Sequence, residues 1–138
     1  ASCSIGPFIR LFDETYTLDD VRSARLDLRI EGEDGYVLNG HSSMTEISRD
    51  PLDLVAQTIG RSHQYPDGFM LFMGTLFAPV EDRDTKGQGF THKIGDVVSI
   101  SNAELGALSN TVRLSTECAP WTFGVTELMR NLAGRGLL

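Results

Sequence analysis

The 138-residue sequence has only two cysteines, Cys3 and Cys118, and no apolar run approaching the roughly 18 residues that a membrane-spanning helix needs. The cysteines lack the spacing of a zinc site. With no signal peptide in view they read as two unpaired thiols in a reducing cytoplasm. Positive charge is scarce too: 12 Lys and Arg against 19 Asp and Glu give a net charge of -7, so no basic face is expected to neutralise nucleic-acid phosphates. There is no internal repeat and no low-complexity segment. A serine elbow is missing as well, and Gly87-Gln88-Gly89 lacks the third glycine of a phosphate-cradling loop. These absences set aside helical membrane proteins, nucleic-acid binders and nucleotide-loop enzymes.

What is present suits one core. A hydrophobic content of 41% with 22% charged residues predicts a single domain over residues 1–138, of the α+β class. The chain opens Ala1-Ser2-Cys3 with no initiator methionine and no lead-in turn, so it is expected to start mid-domain, as a fragment.

Apolar mass is densest in Phe69-Met70-Leu71-Phe72-Met73, five residues too short for a helix and rich in aromatics, which predicts a strand buried on both faces. Gly74 follows, free of a Cβ and tolerant of positive φ. Thr75 then places a hydroxyl at the mouth of the core, a common position for a ligand-binding group held on a rigid base. A strand ending in Gly-Thr is more often structural than functional, so the segments around it carry the weight.

Gly6-Pro7 leads into a short predicted strand at Phe8-Ile9, and Thr17 caps a short helical turn. Arg25 to Glu31 alternates cleanly, with Leu26, Leu28 and Ile30 on one face and charged residues on the other, which predicts a half-buried strand. Asp34-Gly35 turns the chain so that Tyr36 to Leu38 returns antiparallel, prolonged by Gly40 to Met44. Asp50 is placed to cap a helix starting at Pro51, with Leu52, Val55, Ala56 and Ile59 as its buried face and Gly60 as its stop. Val97 to Ser101 and Leu105 to Leu114 are predicted strands. A terminal helix carries Val125, Leu128, Met129 and Leu132 at i, i+3, i+4 and i+7, ending at Gly134 and Gly136.

Two further candidates for chemistry have plainer readings. His41 has no second histidine or carboxylate in a metal-like pattern and reads as a surface or strand-edge residue. Asp82 and Asp84 sit in a polar, glycine-bearing loop without the calcium-loop pattern, so a solvated loop is favoured over a cation site.

The order of segments resembles the C-terminal half of the fumarylacetoacetate hydrolase superfamily. Gly6-Pro7 enters a strand, the Leu26-Leu28-Ile30 hairpin continues to Gly40-His41-Ser42-Ser43-Met44, and a helix begins Ser48-Arg49-Asp50-Pro51. Gly74-Thr75 and then Gly95-Asp96-Val97-Val98 follow. The long Val80 to Thr91 insertion, Phe90-Thr91-His92-Lys93 and the Pro120-Trp121-Thr122-Phe123-Gly124 tail look like the 2-keto-3-deoxy-aldonate dehydratase branch. The resemblance implies a mixed β-sheet roll, mainly antiparallel strands with two packing helices. It implies a metal-dependent enzyme acting on a 2-oxo acid, by hydrolysis of a carbon-carbon bond in a β-diketone or acylpyruvate or by dehydration of a 2-keto-3-deoxy sugar acid. Thr75 inherits contact with the substrate carboxylate or 2-oxo group, and Gly74 gives backbone clearance. Mg²⁺, or Mn²⁺ or Ca²⁺, belongs to a Glu-x-Glu pair and an aspartate upstream, and the catalytic lysine lies there too. No catalytic or metal-ligating residue is therefore assigned to this chain, which alone is expected to be inactive. The implied partners are the N-terminal half of the same protein and a second subunit in a homodimer. A non-catalytic binding or assembly module is the reading from outside enzymology.

Overall fold

The alternation from Arg25 forms strand β1 (Arg25–Glu31), which pairs antiparallel with β2 (Val37–Ser43) across the Asp34-Gly35 turn, Gly35 taking φ +82°. The computed structural model describes residues 3–6, 8–74 and 77–138. β3 (Val97–Asn102) lies on the other side of β1, and β4 (Gly106–Thr111) pairs with β3, so the sheet runs β2-β1-β3-β4 with every pairing antiparallel. The β3–β4 turn is held by Asn102, whose Oδ1 accepts from the backbone N–H of Glu104 and Leu105. Gly106 opens β4 in the left-handed region one residue after the predicted start, and the strand ends at Thr111, three residues before the predicted Leu114.

Register fixes the two faces. Leu28 opposes Ile100 and Ile30 opposes both Leu38 and Val98, while Ile100 opposes Leu108, so these apolar side chains share one face. Arg29, Ser99 and Ser109 lie on the opposite, polar face, where Ser99 and Ser109 meet hydroxyl to hydroxyl at 2.6 Å. On the apolar face cover is uneven. Ile30 and Leu38 are 1% exposed, yet Ile100 is 44% exposed. One covering group at the β2 edge is Phe77, whose ring occupies the space a Cβ on Gly40 would need.

Helix α1 (Leu18–Ser23) starts at Thr17, where the Asp20 carboxylate reaches back to accept from the Thr17 N–H at 2.6 Å and its hydroxyl at 2.8 Å. Helix α2 (Pro51–Thr58) is capped as predicted, Asp50 Oδ1 accepting from the Leu52 N–H at 2.9 Å. Its covered face differs from the predicted one: Pro51 is buried and Leu54, Val55 and Thr58 are half-buried, whereas Leu52 and Ile59 are exposed. Ile59 leaves the helix in extended conformation one residue before Gly60. Helix α3 (Val125–Gly134) closes with Gly136 at φ +69°, the Leu137 N–H donating to Leu132 O and the Gly136 N–H to Ala133 O.

The expected central strand is the main correction. Phe69 to Met73 forms no strand with any of the described residues, and Met70 and Phe72 are 60% and 67% exposed. Gly68 and Gly74, both at positive φ, turn the chain at either end of the run, and its nearest aromatic contact is local, Phe69 against Tyr65 at 5.0 Å. Hydrophobicity marked a segment that needs cover, but no sheet edge reaches it. Ile5, Phe8 and Ile9 likewise lie outside any strand and are exposed, with Pro7 outside the described residues.

Cover is thin throughout. Tyr16, Ile30, Leu38 and Met44 are the buried large apolar residues among those described. The chain exposes 10917 Å², where a folded monomer of 15.1 kDa shows about 7,100 Å².

Candidate functional site

The most organised polar cluster stands where the β1–β2 turn meets the loop running from residue 80 into β3. Asp96 enters that place through the turn at Gly95, which takes φ +91° and carries the chain directly into Val97 of β3. Arg83 comes from the opposite wall, its guanidinium fully buried at 2% side-chain exposure against 1% for Asp96. Arg83 Nη1 donates to Asp96 Oδ2 at 2.5 Å and Nη2 to Oδ1 at 2.8 Å, a bidentate pair. Nη2 also donates to Asp34 Oδ1 at 3.2 Å, and Nη1 to the Thr91 carbonyl at 3.3 Å. The Tyr36 ring lies under the guanidinium, 4.6 Å from Cζ to centroid.

Lys93 adds the second cation. Its Nζ donates to Asp34 Oδ2 at 2.8 Å and Asp84 Oδ1 at 2.6 Å, and its backbone N–H donates to Asp96 Oδ2 at 2.9 Å. His92 stands 3.5 Å from Asp96 through Nδ1 and packs edge-on against Phe90, which in turn contacts Tyr36. Gly32 is required here, because a Cβ would overlap Arg83 Nη2 and Asp34 Oδ1. Asp82 folds the loop itself, accepting from the N–H of Gly87 at 2.7 Å and Gly89 at 2.6 Å, which draws its carboxyl below the ordinary value.

The electrostatics follow from these contacts. Hydrogen bonding from Arg83 holds the Asp96 carboxyl down at about 2 against the opposing effect of burial, with the Lys93 N–H assisting. Asp34 is lowered first by Lys93 and then by the Tyr36 N–H, and both cations are raised. Burial pushes the Tyr36 phenol up. Arg83 has no Nη face left for an incoming carboxylate. The cluster is a joint: it ties the hairpin turn, the 80–93 loop and the start of β3 into one corner, beside a cavity of about 230 Å³.

The carboxylates gathered here do not fit Mg²⁺, Mn²⁺ or Ca²⁺. Asp96, Asp34 and Asp84 already face Arg83 and Lys93, and a hard cation would have to displace both. Among the described residues no three His, Cys, Asp or Glu side chains gather as cation ligands.

Gly74 is exposed at φ +91°, and among the described residues beyond its chain neighbours no atom lies within 4 Å of its Cβ direction. Three residues later Phe77 lies over Gly40, so Gly74 is within about 11 Å of that anchor along the chain. Thr75 lies outside the described residues. His41 sits exposed on edge strand β2 opposite Asp27. Sequence reasoning missed Arg83, Asp34 and Lys93 as a unit. The available signal was a single arginine inside the acidic loop 81–84, paired in principle with the aspartate of Gly95-Asp96. Compared with known proteins, the chain matches no family model, no curated protein and no solved structure.

Proposed function

We propose that this chain is the C-terminal part of a fumarylacetoacetate hydrolase-like, metal-dependent enzyme, cleaving a carbon-carbon bond in an acylpyruvate or β-diketone. The observation that carries it is the construction of the Gly95-Asp96 corner. Gly95-Asp96 is one of the segments whose order carries the resemblance, and it is there that Arg83, Lys93 and the hairpin turn are locked to the start of an interior strand. Such a corner holds a scaffold rigid without spending the chain's own groups on reaction chemistry. The excess of exposed apolar surface supports the same reading, since it calls for further polypeptide over Met70, Phe72 and their neighbours. In this reading Gly74 and Thr75 orient the substrate's carboxylate or 2-oxo group, and the metal ligands and base come from upstream residues. Dehydration of a 2-keto-3-deoxy sugar acid is the second reading, favoured by the 80–91 insertion, which the structure shows as an internally bonded loop on Asp82.

The test is an assay of the complete gene product that contains these residues. Pyruvate released from an acylpyruvate in the presence of Mg²⁺, and abolished by a chelator, supports hydrolysis. Loss of water from a 2-keto-3-deoxy sugar acid transfers the assignment to the dehydratase reading. Neither activity, from a folded product, overturns both in favour of a binding or assembly module.

A further inference from the structure

We propose that Asp67-Gly68 is a site of spontaneous covalent modification, at which Asp67 passes through a cyclic imide into isoaspartate and becomes a substrate for carboxyl methylation. The backbone nitrogen of Gly68 attacks the Asp67 side-chain carboxyl carbon, and a water molecule leaves as the imide ring closes. Water then adds to either ring carbonyl. One addition returns aspartate and the other routes the main chain through Cβ, so no oxidant or other reactant is consumed. Glycine favours the closure because no Cβ shields its nitrogen.

The sequence has three places where Asp or Asn precedes Gly: Asp34-Gly35, Asn39-Gly40 and Asp67-Gly68. The fold separates them. In a turn or a strand the following nitrogen must swing toward the side chain before the ring can close, so the rate at each place depends on what has to open first.

At Asp34 side chain and backbone are both held. Its carboxylate accepts from Lys93 Nζ at 2.8 Å, the Tyr36 N–H at 3.1 Å and Arg83 Nη2 at 3.2 Å, while the Gly35 N–H donates to Gly32 O at 3.0 Å. Lys93 first, and then the Tyr36 N–H, keep the carboxyl well below its ordinary value, in the ionised form that resists attack. Asn39 and Gly40 lie inside β2, opposite Arg29 and Leu28 of β1. There Asn39 Oδ1 accepts from Arg29 Nη1 at 3.2 Å and the Phe77 ring covers Gly40. Ring closure at Asn39 therefore requires the β1–β2 pairing to open.

Asp67 has no comparable restraint. It is exposed, and among the described residues its carboxylate receives no hydrogen bond. The turn around it is closed by the Gly68 N–H donating to Tyr65 O at 3.0 Å, with the Tyr65 and Phe69 rings 5.0 Å apart beside it. Gly68 follows at φ +84° and leads into Phe69 to Met73, which form no strand with the described residues. The turn thus opens without disturbing the sheet or the Arg83 joint. Isoaspartate at this point lengthens the main chain by a methylene immediately before that apolar run. The inference does not depend on the enzymatic reading.

Ageing the 138-residue chain at neutral pH, folded and in urea, tests it. Methyl transfer from S-adenosylmethionine by a protein isoaspartate methyltransferase reports the total. Trypsin then separates the places, Asp67 falling in residues 62–83 and Asp34 with Asn39 in residues 30–49. Electron-transfer fragmentation distinguishes Asp34 from Asn39, whose reaction also releases ammonia. In the folded chain isoaspartate is expected at Asp67 at least roughly tenfold faster than at Asp34 or Asn39. Urea removes the protection, so Asp34 rises to the rate of Asp67 and Asn39 overtakes both. Asp67→Glu, whose longer side chain closes the ring poorly, is expected to lose most methyl acceptance in the folded chain. The proposal is overturned if Asp34 or Asn39 reacts as fast as Asp67 in the folded chain, or if Asp67→Glu leaves folded-chain methylation unchanged. It is equally overturned if Asp67 stays intact in the folded chain while the urea-unfolded chain forms isoaspartate there.

Discussion

Arg83 and Asp96, 13 residues apart in sequence, meet in a buried bidentate ion pair with Nη1 to Oδ2 at 2.5 Å and Nη2 to Oδ1 at 2.8 Å. The pair closes the loop that carries Asp82, Asp84 and the Gly87 and Gly89 turns onto the root of β3. Asp34 extends it to the hairpin turn, so three chain segments converge on one guanidinium. Burial makes the arrangement conditional, because each charge is tolerable only while the other is present.

Arg83→Met is therefore expected to cost about 3 to 5 kcal/mol, most of it from leaving Asp96 charged and buried. In an Asp96→Asn background the same change should cost much less, since the remaining group is neutral. Urea denaturation of the four proteins gives the coupling. Equal costs in both backgrounds would mean that the two side chains act independently.

Acid should act at the same joint. The folded Asp96 carboxyl lies at about 2, below its ordinary 3.8, so its stabilising contribution is complete above about pH 4 and lost as pH falls through about 2. Asp34 is also depressed, by Lys93 first, and adds a loss of the same sign. Asp96→Asn is expected to flatten the stability profile between pH 4 and 2 while leaving some slope from Asp34. A profile as steep as wild type in that window would place the acid sensitivity elsewhere.

Local signals were legible and long-range ones were not. β1 was readable to the residue because alternation is a property of consecutive side chains, and the Asp50-Pro51 start of α2 because a cap is made within one turn. The buried face of α2 was misjudged, since two apolar stripes overlap at Val55 and only tertiary contact chooses between them. Phe69 to Met73 failed as a strand because apolar content reports a need for cover, whereas a strand needs a free edge, which depends on sheet order. The Arg83 joint was invisible for a similar reason: Asp34, Arg83 and Asp96 lie 49 and 13 residues apart, with no spacing rule to link them.

The carboxylates of the joint are expected to ignore divalent cations. Calorimetric titration of the chain with Mg²⁺ or Mn²⁺ should show no stoichiometric micromolar binding, because Asp34, Asp84 and Asp96 would have to surrender Lys93 and Arg83 first. A saturable site lost in Asp84→Asn would promote the 81–89 loop to a cation site.

The contact between Phe77 and Gly40 gives a sharper test of how the chain following Gly74 is anchored. A Cβ on Gly40 would overlap the Phe77 ring, so Gly40→Ala must expel the ring or bend β2, at a cost of about 1 to 3 kcal/mol. Strand preference alone runs the other way, alanine being better than glycine within an element by roughly 0.5 to 1 kcal/mol. In a Phe77→Ala background the obstruction is gone, and Gly40→Ala should become neutral or stabilising. The change of sign between backgrounds is the diagnostic, read from chemical denaturation midpoints at constant m-value. If Gly40→Ala stabilises the wild-type chain, Phe77 does not rest on β2, and the segment leading from Gly74 to the 80–93 loop is held by other contacts.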